Sequence, residues 1–253
     1  MATYKKTGTK IKSSKQKAEQ HSTTAEVFDT LDQTASRSEQ WVIKNQGNIF
    51  KLLGLVVAVV LASLAYQKFV KMPQEKEAAD ELAFPKTYFE NAMTGSVAKD
   101  SLLTLGLNGN DGKYGFVDIA DQYAGTDAGN LANYYAGISY LNLKNYEAAI
   151  RHLELFSSDD ELLSPIAKGA IGDAFADINQ PEEALEYYLK AADIRSNDFS
   201  TPLFLFKAGN TALELGKYPK ALALFEEIKN AYPNADEARN IEVYINKAIV
   251  AEK

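Results

Sequence analysis

The chain has 253 residues, 46% of them hydrophobic and 24% charged, enough for one sizeable core with appendages. Its formal charge of −7 is uneven: eight Lys/Arg stand against five Asp/Glu before residue 49, and seventeen against twenty-nine after residue 70. A long acidic stretch argues against nucleic acid, and the absence of cysteine excludes disulfides, thiolate nucleophiles and zinc–thiolate sites.

Residues 1–22 are rich in Lys, Ser, Thr and Gln with almost no apolar groups, a composition that predicts disorder. From residue 23 to 48 the pattern changes: Val27, Phe28, Leu31, Ala35, Trp41 and Val42 recur at helical spacing behind Thr23 and Thr24, either of which can cap a helix. Two readings stay open, an amphipathic helix lying on lipid or a partner, and a helical extension of the segment that follows.

That segment, residues 49–70, is apolar on all sides, and Leu52 to Tyr66 contains no charge. At about 1.5 Å per residue it covers most of a hydrocarbon layer of about 30 Å, with Lys51 and Lys68 placed to snorkel at its ends, so a transmembrane helix is predicted. Forty-eight preceding residues are too many for the leading region of a cleavable signal peptide, which leaves the helix as a membrane anchor in lipid. Nearby Lys and Arg are almost balanced across it. The whole basic tail, with Lys5, Lys6, Lys10, Lys12, Lys15 and Lys17, favours a cytoplasmic N-terminus and an exported C-terminal domain.

Residues 71–129 read as membrane-proximal helices, over 74–93 and from Tyr114 to Tyr123, interrupted by an insertion. The run Asn108-Gly109-Asn110-Asp111-Gly112 superficially suggests a calcium loop. It lacks the acidic spacing and terminal Glu of an EF-hand, and a polar turn is expected.

Residues 130–235 repeat. Gly137, Gly172 and Gly209 recur at intervals of 35 and 37, and Ala149, Ala184 and Ala221 keep the same intervals twelve residues later. Each block holds two helical stretches split by Leu143-Lys144-Asn145, by Ile178-Asn179-Gln180-Pro181 or by Leu215-Gly216-Lys217. Where two helices of a hairpin cross, Gly on one and Ala on the other let the backbones approach, while Leu153, Tyr188 and Phe225, four residues past each Ala, fill the space beside them. The pattern resembles the tetratricopeptide repeat, with Asn133, Lys168 and Leu205 where that repeat usually has Trp. Extra residues around Ser196 to Thr201 are expected to lengthen one connection. Residues 236–253 are expected to form a capping helix, with Asp236 as its cap and Ile241, Tyr244, Ile245 and Ala248 on one face.

The fold expected is therefore all-α, a single transmembrane helix followed by a tetratricopeptide-repeat solenoid. Such stacks bind extended peptides or partner helices on a concave surface made by their first helices. The repeat frame assigns to that groove Leu131, Tyr134, Ile138, Leu141, Asp173, Asp177, Phe206, Asn210 and Glu214. His152, one of only two histidines, reads as a solvated helix-face residue. No nucleophile motif, phosphate loop or metal cluster appears, so neither catalysis nor a cofactor is expected.

The stretches TTAEVFDTLDQTASRSEQWVIKNQGNIF and AGTDAGNLANYYAGISYLNLKNYEAAI, within this arrangement of tail, anchor and repeats, resemble the YfgM family in versions from Bacteroidetes-like bacteria. That resemblance implies an ancillary subunit of the SecYEG translocon in the bacterial inner membrane, with its repeats in the periplasm beside a PpiD-like chaperone. It implies a role in receiving secreted proteins as they emerge. The other reading is a structural scaffold of another secretion or envelope-assembly complex.

Overall fold

The computed structural model describes residues 23–95 and 97–252, with side chains from Glu39 onward. The disorder expected for residues 1–22 lies outside the described residues. Every regular element among the described residues is helical. The chain divides into two compact units, residues 1–64 and 65–253.

The first unit is built on α1 (Thr23–Tyr66), 44 residues without a break. No boundary separates the segment beginning at Thr23 from the apolar run, so its backbone is an extension of the same helix. Every side chain from Phe50 to Tyr66 is exposed, including Leu53, Val57, Leu61 and Leu64. An apolar surface on all sides of one helix has no protein to bury against, and its length and composition suffice to cross a membrane.

The second unit opens on the last two residues of α1 and continues with a π-helical turn (Gln67–Lys71) and α2 (Met72–Met93), which has Pro73 near its start and the buried Pro85 within it. Two further helices follow, α3 (Lys99–Asn108) and α4 (Phe116–Gln122). The sequence pattern did not predict α3. Between α3 and α4, Gly109, Asp111 and Gly112 all have positive φ and Lys113 N–H donates to the Asn110 carbonyl, so the Asn/Gly run is a tight turn. Phe116 and Tyr135 stack with ring centroids 5.2 Å apart and Phe89 meets Tyr135 at 4.9 Å. These rings help join α2 and α4 to the first repeat in one core cluster.

Three hairpins come next: α5 (Asp127–Asn142) with α6 (Tyr146–Leu155), α7 (Leu163–Asp177) with α8 (Pro181–Asp193), and α9 (Ser200–Glu214) with α10 (Tyr218–Ala231). Each turn places one residue in the left-handed region, Lys144 (φ 61°), Asn179 (φ 60°) and Gly216 (φ 70°). The following N–H in each case returns to a carbonyl five residues earlier, Asn145 to Tyr140, Gln180 to Phe175 and Lys217 to Ala212. These bonds satisfy carbonyls that the helix end would leave open.

Ala149, Ala184 and Ala221 are fully buried at the crossings. The glycines do more than let backbones approach. A Cβ added at Gly137, Gly172 or Gly209 would run into Leu153, Tyr188 or Phe225 respectively, so each glycine forms the seat for the large residue of the second helix. Gly169 does the same between repeats, where it receives the ring of Phe204.

Two expectations are corrected here. The wider interval between Gly172 and Gly209 does not come from a longer connection. α8 has 13 residues where α6 has 10, whereas residues 194–199 form a shorter link than residues 156–162. That link is organised by Asn197, whose side-chain oxygen accepts from Phe199 N–H and Ser200 N–H and whose amide donates to the carbonyl of Glu161 in the preceding link. In that preceding link Asp160 starts α7 in the same manner, accepting from Leu162 N–H and Leu163 N–H, and these bonds hold its carboxyl below the usual range. The second correction is at the C-terminus. Asp236 does not cap a helix; it opens a 3₁₀ turn (Asp236–Asn240) and pairs with Arg239, before α11 (Ile241–Glu252) buries Ile241, Ile245 and Ala248.

Candidate protein-binding site

α9 places Leu203, Phe206, Lys207, Asn210 and Glu214 on one stripe, at the three- and four-residue steps of a helix face. The stripe, together with Tyr188 of α8, the 3₁₀ turn and Tyr244 of α11, encloses an open cleft of about 650 Å³. Its apolar wall is the edge-to-face pair of Phe206 and Tyr244, with ring centroids 4.7 Å apart. Asn240, Glu237 and Asp236 of the 3₁₀ turn add polar groups to the lining. Such a volume, lined by both aromatic and polar groups, is of the size that admits side chains of a ligand.

The charges of the cleft are partly committed. Lys207 Nζ lies 2.7 and 2.9 Å from the two carboxylate oxygens of Asp173, and Tyr188 donates its hydroxyl to the same carboxylate at 2.7 Å. Burial, followed by the Asp173 charge, pushes the Tyr188 phenol far up, so it remains a donor at any working pH. Lys207 Nζ also sits 5.6 Å from the centre of the Tyr188 ring, which fixes the cation against an aromatic face.

The nine residues assigned to the groove from sequence fall into three groups. Phe206, Asn210 and Glu214 line the cleft. Asp173 stands behind it, its carboxylate taken up by Lys207 and Tyr188, and Asp177 is exposed at the last turn of α7. Leu131, Tyr134, Ile138 and Leu141 are only half-buried and pack on the core formed by Leu153, Phe156 and Ile171, so the structure uses them to join the first and second repeats. Lys207 and Leu203 are legible as neighbours of Phe206 and Asn210 on the α9 stripe. Tyr188, Glu237 and Asn240 carry no such signal, because only the packing of three elements brings them to the same opening.

The other correction concerns His152. It is not solvated: 5% of its surface is exposed, its Nδ1 lies 2.9 Å from Asn133 Oδ1, and its ring stacks on Tyr140 with centroids 5.5 Å apart. Asn133 spends its amide N–H on the Gly129 carbonyl, which leaves the oxygen to accept and makes His152 Nδ1 the donor. Asn133, which stands where the repeat usually carries Trp, is thus one half of a buried polar pair. Among the described residues no group of three or more His, Asp or Glu could hold a metal ion.

Compared with known families, the chain matches two tetratricopeptide-repeat models, one over residues 134–199 and one over residues 204–235. No curated protein and no solved structure matches it. The matched stretches cover most of the three hairpins described above, and the chain is therefore a protein that contains tetratricopeptide repeats, a module of protein–protein interaction.

Proposed function

We propose that the chain is a membrane-anchored, protein-binding subunit of the Sec translocon that helps periplasmic chaperones receive secreted proteins. The observation that carries this reading is the pairing, in one chain, of a fully exposed apolar helix with an array of protein-binding repeats. An exposed face of Leu and Val is stable in lipid and not in water, which accounts for the anchor. The repeats supply the cleft at Phe206 and Asn210 in which a partner segment can lie. The balance of Lys and Arg over the whole tail supports a cytoplasmic N-terminus and a periplasmic repeat domain in the bacterial inner membrane. The likeness of the two quoted sequence stretches to the YfgM family supports SecYEG and a PpiD-like chaperone as the partners.

The test is photocrosslinking in intact cells from a reactive residue at Asn210, which faces the cleft without contributing to the core. Adducts with a Sec subunit, a periplasmic chaperone or an emerging secreted chain are expected. Adducts confined to other envelope proteins would reject the translocon assignment, and their absence from every protein would reject the cleft as a binding site.

A further inference from the structure

The cleft between α9 and α11 is electrically unbalanced in a way that its lining residues make countable. Lys207, the cation on its wall, is held by both oxygens of Asp173 and is not available to a ligand. Asp236 on the lining is paired with Arg239 at 2.6 Å. Glu214 and Glu237 remain, and neither has an ion-pair partner among the described residues. Glu214 stands at the last turn of α9, where the helix dipole already presents negative charge and disfavours a carboxylate. Glu237 stands instead in the first turn of the 3₁₀ helix, with its carboxylate on the lining of the same opening. A cation entering the opening meets two open carboxylates, a helix C-terminus and aromatic faces, in a concave site that concentrates the field.

We infer that this cleft takes an extended segment of a partner protein in which Arg or Lys adjoins a bulky apolar residue. The inference rests on the binding function proposed above and assigns the chemistry of what is bound. The basic group lies toward Glu214 and Glu237, the apolar one against Phe206 and Tyr244, and Asn210 offers its amide to the segment's backbone. Asn210 donates its own N–H to the Phe206 carbonyl, which leaves its oxygen free to accept a backbone N–H of the guest. An acidic segment meets only repulsion, since the one lining Lys is already neutralised.

The experiment uses the full chain in uncharged detergent and fluorescence anisotropy with four short labelled peptides. One interleaves Arg with Leu and Phe; in the others Arg is replaced by Gln, or by Glu, or the apolar residues by Ser. Only the first is expected to bind well, with an affinity that falls as salt is raised. The double substitution Glu214→Gln with Glu237→Gln is expected to weaken it by about tenfold or more and to flatten the salt dependence. Circular dichroism of that variant is expected to show an unchanged melt, because both side chains lie outside the core. Equal binding of the Gln or Glu peptide, or an unchanged affinity in the double variant, would overturn the inference. If crosslinks from Asn210 to partner proteins persist while the Arg peptide fails to bind, the charge assignment falls and the binding function stands. If both fail, both fall.

Discussion

Replacing Gly172 by alanine puts a Cβ 2.6 Å from Cε1 and 2.7 Å from Cδ1 of Tyr188, about 0.8 Å inside ordinary contact. The ring cannot retreat freely. Its hydroxyl is tied at 2.7 Å to Asp173, which stands on the same helix as Gly172, and Lys207 lies over its face. Overpacking a site of this kind costs about 1–3 kcal/mol, and weakening the bond to the carboxylate adds up to about 1.5–3 kcal/mol. Alanine returns about 1 kcal/mol through helix propensity. The net destabilisation is about 2 kcal/mol, which for a domain of this size lowers Tm by about 4–8 °C. Thermal unfolding of the full chain in mild detergent, followed by circular dichroism, measures it. Gly172→Ala combined with Tyr188→Leu should recover some of the loss, since the smaller side chain leaves room for the new methyl. A single variant that melts at or above the parent temperature would refute the account of glycine as a seat for the second helix.

Three further outcomes are expected. His152 has its pKa pushed below the ordinary 6.5 by burial and then by Arg151, against a smaller opposing pull from Asp121. Its neutral form is therefore the folded one: its contribution is complete above pH 6.5 and is lost as pH falls from there through the depressed folded value, so urea midpoints should drop across that range and His152→Gln should flatten the slope. Lys144 occupies a left-handed conformation with φ 61°, and Lys144→Gly should raise stability by about 1 kcal/mol in urea titration. Glu75 accepts Asp127 N–H at 2.8 Å and Ala128 N–H at 3.1 Å, capping α5 from α2, and Glu75→Ala should cost about 0.5–2 kcal/mol and speed amide exchange at the start of α5.

The repeats are legible in the sequence because their signal is local. A Gly and an Ala twelve residues apart fix the crossing of one hairpin, and Lys144, Asn179 and Gly216 mark its turn, whatever surrounds them. The face each hairpin turns to its neighbour is not local, and depends on crossing angles set by several side chains together. That is why Tyr134 and Ile138, on an apolar stripe that fits either role, pack between repeats, and why Asp173 is neutralised from the next repeat by Lys207. The burial of His152 is hidden in the sequence because helix position alone does not reveal that Asn133, nineteen residues earlier, waits as its partner. α3 escapes because its leucines at 102, 103, 105 and 107 form a nearly continuous run with Gly106 among them, which carries no clear helical period.

The side chain of Asn197 gives the joint between the second and third hairpins an unusual latitude. Because one amide both starts α9 and clasps the preceding link, the register of the third hairpin is set at that amide, whatever the length of the helix before it. Helix α8 has grown by three residues relative to α6, yet Phe204 still finds its seat at Gly169. The three added residues of α8 are therefore taken up ahead of Asn197, and the contact between the second and third hairpins is kept.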